Sequence, residues 1–138
     1  MTTNRIVIDT NVVVSALIFT ESTAMKAFQA SKTQGTILIS SDIILEISEV
    51  LSRPKFDRYI STKIREDFLA SLYREAEVIA ITETIDSCRD PKDNKFLEVA
   101  ISGNASYIIT GDKDLLELHP FRGIPILTPQ DFLQVVSI

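Results

Sequence analysis

Short apolar runs alternate with amphipathic stretches along this chain. Arg5-Ile6-Val7-Ile8 reads as a buried strand. Residues 11–19 are apolar with few breakers and predict a helix. Residues 22–34 predict another, with Ala24, Ala27 and Phe28 on one side and Gly35 at its end. Thr36-Ile37-Leu38-Ile39 is a second strand. Ser40 or Ser41 can cap a helix running to about Leu51, stopped by Pro54. On that helix Ile43, Ile47 and Leu51 share one face, and Asp42, Glu46 and Glu49 share another. Residues 55–73 read as one or two further helices, and residues 77–81 as a third strand. Asp90-Pro91 opens a helix that Gly103-Asn104 ends. Tyr107-Ile108-Ile109-Thr110 and Ile124-Pro125-Ile126-Leu127 are strands, and Pro129 begins a closing helix. Strands alternating with helices predict βαβ units and a parallel sheet. The strands are short and almost wholly apolar, as expected when helices cover both faces. The expected fold is therefore α/β: a central, mostly parallel sheet of four to five short strands between two helical layers. Sites in such sheets lie beyond the carboxyl ends of the strands.

The length of 138 residues fits one domain, 1–138. A single cysteine, Cys88, excludes an intrachain disulfide, and with only one histidine, His119, there is no Cys/His zinc cage. Met1-Thr2-Thr3-Asn4-Arg5 has no apolar leader, and no apolar run approaches the length of a membrane helix, so a cytoplasmic protein is expected. The net charge of −5 argues against a tight, purely electrostatic nucleic-acid binder. It leaves open an enzyme acting on nucleic acid, because metal-binding carboxylates swell the acidic count.

Two acids stand where an α/β site is expected. Asp9 follows the first strand, and Asp112 follows Tyr107-Ile108-Ile109-Thr110-Gly111. If those strands are neighbours, the acids share a crevice and repel unless a proton or a cation intervenes. A hard divalent cation with oxygen ligands is the natural solution. Each acid also has a plainer reading. Asp112 can cap a short helix over residues 113–118, and Asp9 can form an Asx-turn with Asn11. Asp90 with Pro91 is a good helix start, with Asp93 at the third position, where a carboxylate can reach back to the cap. Glu46 alone reads as part of a solvated stripe. Other enzyme templates fail, since the chain has no glycine-rich phosphate loop and no nucleophile elbow. His119 reads as a surface or cap residue. Cys88 beside Arg89 reads as a small, partly buried side chain rather than a reactive thiol.

Taken together and in this order, the acids resemble those of the PIN-domain family. Ile6-Val7-Ile8-Asp9-Thr10-Asn11-Val12 is similar to its opening block, and Ser41-Asp42-Ile43-Ile44-Leu45-Glu46-Ile47 to its acidic helix. Asp93-Asn94-Lys95-Phe96-Leu97-Glu98-Val99-Ala100 and Thr110-Gly111-Asp112-Lys113-Asp114-Leu115 resemble the third and fourth blocks. Cys88-Arg89-Asp90-Pro91-Lys92-Asp93 and Leu51-Ser52-Arg53-Pro54-Lys55-Phe56 are similar to a subgroup that contains toxin components of toxin–antitoxin pairs. The resemblance implies a parallel sheet flanked by helices. It implies Asp9, Glu46, Asp93 and Asp112 as metal-binding acids, with Asp114 and Asp90 as extra members. Between Asp90 and Asp93, the capping argument favours Asp93 as the ligand.

The implied activity is Mg2+- or Mn2+-dependent hydrolysis of single-stranded RNA, restrained by an antitoxin, with a homodimer as the resting unit. Thr10, Asn11 and Thr110 are candidates to orient the carboxylates, or else ordinary turn residues. Arg53, Lys55, Arg58, Lys63 and Arg65, with Arg89, Lys92, Lys95 and Lys113, are candidate cations for the substrate, or else solvated helix faces. An antitoxin tail could place an Arg among the carboxylates and an apolar segment near Phe56 and Tyr59, which otherwise read as core. Two rivals remain at this point. One is a non-catalytic PIN-like binding module. The other is a Mg2+-binding phosphoacceptor receiver, which would want adjacent acids after the first strand, where this chain has Asp9-Thr10-Asn11.

Overall fold

The computed structural model describes residues 4–136. Met1, Thr2 and Thr3, on which the expectation of no apolar leader was based, lie outside the described residues. The strands are β1 (Asn4–Ile8), β2 (Gly35–Ile39), β3 (Glu77–Val78), β4 (Tyr107–Ile109) and β5 (Ile126–Leu127). They form one sheet in the order β3-β2-β1-β4-β5, and every pairing is parallel. The helices are α1 (Thr10–Ile18), α2 (Thr23–Gln34), α3 (Ser41–Leu51), α4 (Thr62–Glu75), α5 (Asn94–Ser102), α6 (Lys113–Leu116) and α7 (Pro129–Val136). Short 3-10 turns at Pro54–Phe56 and Pro91–Asp93 precede α4 and α5. The helices flank the sheet, giving three layers, with α2 and α5 both packed on β1 and β2. Among the described residues, no helix is long and apolar enough to cross a membrane.

Burial explains the central strand. Ile6 and Val7 are fully buried and Ile8 nearly so, and each such side chain stabilises the fold by about 1.5–3 kcal/mol. Helix α1 is a harder case, because Val12, Val13 and Val14 are β-branched and weakly helix-forming. All three are buried, and the Asp9 side chain caps the helix by accepting from the Asn11 backbone N–H at 3.3 Å. Tertiary burial and a cap therefore override propensity. Helix α3 follows its pattern, with Ile43, Ile47 and Leu51 each about 1% exposed, and Ser40 provides the cap.

The third strand is shorter than expected: only Glu77 and Val78 pair, both exposed at the sheet edge. Gly35 closes α2 in extended, not left-handed, backbone (φ −167°). Glycine is required there for another reason: a Cβ would sit 2.3 Å from the carbonyl oxygen of Asn4 on the neighbouring strand.

Sheet order also bears on function. Progress along the chain runs outward from β1 through β2 to β3, then returns to β4 on the other side of β1. The reversal lies between β1 and β4, where open α/β sheets bind their ligands. This order also differs from the 2-1-3-4-5 order of flavodoxin-like receivers, so the receiver reading does not fit.

Candidate active site

The reversal point places Asp9 and Asp112 side by side. Asp9 follows β1, is 4% exposed, and donates its backbone N–H to Ile109 O on β4 at 2.9 Å. Thr110 links the two acids. Its hydroxyl donates to Asp9 Oδ2 at 2.6 Å and accepts from the Asp112 backbone N–H at 2.9 Å. Asp112 also caps α6, accepting from the Asp114 N–H at 2.7 Å. The capping and Asx-turn readings of these acids thus hold together with their convergence: one Asp9 oxygen serves the local turn and the other accepts from Thr110, while both acids line the same cavity.

A cavity of about 190 Å³ gathers the remaining candidates, and its walls include Asp9, Glu46, Asp90, Asp93 and Asp112, with Arg53 and Lys92. A second opening of about 330 Å³ reaches Asp9 and Asp112 from the side of Ser15, Ala24, Gly111 and Pro129. Glu46 comes from α3 and is turned into the site, not into bulk solvent. Its Oε2 accepts from the Thr10 hydroxyl, and its Oε1 from Lys95 Nζ at 2.7 Å. Of the three orienting candidates, Thr10 and Thr110 act through their hydroxyls, whereas Asn11 acts through its backbone.

Asp90 and Asp93 divide the labour. Asp90 caps the 3-10 turn, accepting from the Lys92 N–H at 3.1 Å, and Pro91 follows at the first position. Asp93 makes no side-chain cap bond, so the plainer reading of it as a capping partner does not hold. As a carboxylate, its buried Oδ2 finds no hydrogen-bond donor among the described residues. Asp114 does not line the cavity and enters only through its backbone.

The electrostatics follow from crowding. Burial pushes the Asp9 pKa up; the hydrogen bonds from Thr110 and Asn11 oppose this, and the charges of Asp112 and Glu46 reinforce it. Asp93 is raised to about 7, first by burial, then by hydrogen bonding and repulsion with Asp112, then by Asp9 and Asp90. Crowded carboxylates of this kind are relieved by a proton or a cation. The donors are all oxygens, the set preferred by Mg2+ and similar hard ions. The partnerless Asp93 Oδ2 is an atom such a cation would satisfy, so the residues fit a divalent ion. Among the described residues, no three acidic, His or Cys side chains stand in an arrangement that could hold a metal ion. Glu46 is held toward Lys95 and Thr10 instead.

The cations sort differently from the sequence expectation. Arg53 and Lys92 line the cavity, and Arg53 pairs with Glu49 at 3.0 Å. Arg65 is not available to a substrate. It is buried, donating to the carbonyls of Leu51 and Ile60 at 2.9 Å and to Asp57 at 2.8 Å, and so fastens the turn before α4. Lys63 pairs with Asp67 on the exposed face of α4. Phe56 packs against the core, while Tyr59 is 56% exposed beside the Phe19 ring. Cys88 is buried, which pushes its thiol pKa up and removes it as a nucleophile. His119 Nδ1 accepts from the Ile126 N–H at 2.9 Å, a structural bond at the last strand.

A PIN-domain family model matches residues 5–114. An uncharacterised protein of Methanocaldococcus jannaschii is 32% identical over 140 aligned positions, spanning 94% of this chain and 90% of that protein. Two solved structures share the fold at 14% identity. VapBC2 from Rickettsia felis, bound to a DNA fragment from its promoter, superposes with a TM-score of 0.59 over 88% of this chain and 96% of that one. A Pyrobaculum aerophilum protein superposes with a TM-score of 0.62 over 99% and 91%.

Proposed function

This chain belongs to the PIN-domain family, and from that membership and its carboxylate-walled cavity we propose that it is a divalent-metal-dependent endoribonuclease. PIN domains are in general nucleases that use divalent metals. The observation that carries the reading is the buried, partnerless Asp93 Oδ2 in a cavity it shares with Asp9, Glu46 and Asp112. Those four acids would hold one or two Mg2+ or Mn2+ ions. When bound, such an ion makes a water more acidic and polarises the scissile phosphate. Thr110 and Thr10 fix the Asp9 and Glu46 carboxylates by hydrogen bonds, which keeps the donor atoms aimed. Arg53 and Lys92 at the rim attract the phosphate backbone toward an otherwise repulsive hole. Gly111 has open space where a Cβ would stand, leaving the second mouth clear for a nucleic-acid chain.

The substrate in this reading is single-stranded RNA, and the protein acts in the cytoplasm as the toxin of a toxin–antitoxin pair, with a homodimer as the resting unit. The structural likeness to VapBC2, a toxin–antitoxin complex, motivates the antitoxin. A free ribonuclease would attack the RNA of its own cell, which supplies the need for a restraint.

Matched RNA and DNA oligonucleotides, offered to chelator-stripped protein with and without Mn2+, test the chemistry. RNA cutting that requires Mn2+, stops with EDTA and is absent in Asp9→Asn is expected. Preferential DNA cutting overturns the RNA assignment. Absence of any metal-dependent cutting favours the inert binding module, for which the capture of Glu46 by Lys95 is the supporting observation. Expression with and without the adjacent gene tests the toxin. Harmless expression of the wild type alone, with no co-purifying neighbour, sinks that part.

A further inference from the structure

Lys95 stands apart from the other cations near the site. It lies in the first turn of α5, two positions after Asp93, and its Nζ meets Glu46 Oε1 on α3 at 2.7 Å. Both side chains are largely withdrawn from water, at 20% and 27% exposed. Arg53 with Glu49, at 48% and 63%, and Lys63 with Asp67, at 83% and 66%, are exposed pairs by comparison. The second oxygen of Glu46 is taken by Thr10, so the carboxylate has both oxygens engaged by this chain's own donors. Asp93, which lines the same cavity, keeps a buried oxygen with no donor among the described residues. One acid is thus saturated and another is left open.

We propose that Lys95 is a built-in counter-cation that holds Glu46 and competes with a divalent ion for it, thereby setting the affinity of the site. This rests on the metal reading above. In the metal-free protein the ammonium offsets one charge of a crowded set, which favours a folded apo state. The same ammonium opposes an entering dication, because like charges a few ångströms apart repel even when partly screened. Lys95 is in this role a positioning residue: it acts on the ion through Glu46. The pair also ties α3 to α5, so releasing Glu46 loosens that tie as an ion takes the carboxylate.

Two measurements test the proposal. The first is a double-mutant cycle by thermal melting of chelator-stripped protein, with Lys95→Met, Glu46→Gln and both. Lys95→Met should lower Tm by several degrees when Glu46 is present and by about 1 °C or less in the Glu46→Gln background. Equal drops in both backgrounds overturn the pairing. The second is calorimetric titration with MnCl2. Lys95→Met should bind Mn2+ about tenfold more tightly than wild type, from removal of one nearby positive charge, whereas Lys95→Arg should keep the wild-type affinity. Equal or weaker binding in Lys95→Met overturns the competition. Failure of every variant to bind Mn2+ overturns both the metal reading and the competition, while coupling in the melting cycle still identifies Lys95 as the counter-ion of Glu46.

Discussion

Replacing Asp93 by asparagine should stabilise the metal-free protein, and the gain should grow with pH. The Asp93 carboxyl is raised from 3.8 to about 7, chiefly by burial and then by Asp112. A folded-state pKa above the unfolded one means that between those values the folded chain keeps a proton the unfolded chain has released. Stability from this group is therefore lost as pH rises through that window, and the penalty is complete above about 7. At about 1.36 kcal/mol per pH unit the full rise corresponds to about 4 kcal/mol. The carboxyl is only partly withdrawn from water, and the surroundings can relax around it. Screening leaves about 1–2 kcal/mol at pH 8, and under about 1 kcal/mol at pH 5. The substituted side chain carries no charge, and its amide can donate to Asp112, where two carboxylates had faced one another. Thermal melting of EDTA-treated protein should show Asp93→Asn above wild type by about 4–8 °C at pH 8, with the gap shrinking at pH 5. Saturating Mn2+ should reverse the order, because the ion stabilises only the chain that binds it well. If Asp93→Asn melts at or below wild type at pH 8 without metal, the carboxylate is not under electrostatic strain and the fit to a cation loses its physical basis.

Asp9→Asn or Asp112→Asn should abolish RNA cleavage while keeping the melting temperature at or above that of the metal-free wild type; full activity with either removes that acid from the site. Thr110→Val, which deletes the hydroxyl between Asp9 and Asp112, should cost about 1–3 kcal/mol in denaturant unfolding and lower cleavage at least tenfold. An unchanged rate would show that Asp9 needs no support from that side. Arg65→Met should cost about 2–3 kcal/mol by stranding the carbonyls of Leu51 and Ile60, yet leave Mn2+ affinity unaltered. Loss of affinity would place Arg65 in the site after all. Gly35→Ala should destabilise by about 2 kcal/mol or more through its collision with Asn4, and equal stability in urea would mean β1 and β2 separate more easily than their register suggests.

The parts of this fold that repeat a local period were readable in advance. β1, β2 and β4 are short apolar runs buried on both faces, and α3 shows its buried Ile43, Ile47 and Leu51 at helical spacing. Asp9 and Asp112 were legible as site candidates because strand ends in a parallel sheet point the same way. Long-range choices were not legible. The loop between β3 and α5 has no period, and side chains of the following helix hold it: Ser102 accepts from Thr82, Glu98 from Ile85 and Asn94 from Cys88. Nothing in the sequence marks Asn94 for that task. Arg65 looked like one more surface cation because charge patterning carries no record of which carbonyls lie beneath it. Lys95 was counted among the flanking cations, but its attachment to Glu46 depends on how α3 and α5 approach, which only the packed structure specifies.

The reversal of strand order between β1 and β4 also schedules the site during synthesis. Asp9 is made well before its hydrogen-bond partner Thr110, which lies 101 positions later. A nascent chain that ends before Tyr107 has β1, β2 and β3, and the β4 side of β1 is a bare edge. On such a chain Asp9 lacks both the Thr110 hydroxyl and the Ile109 carbonyl, and Asp112 does not yet exist. Contacts this distant in sequence form late because closing the intervening loop costs entropy before any reward arrives. The four acids therefore come together only after β4 has paired with β1 and Asp112 has been made, however early Asp9 and Glu46 are in place.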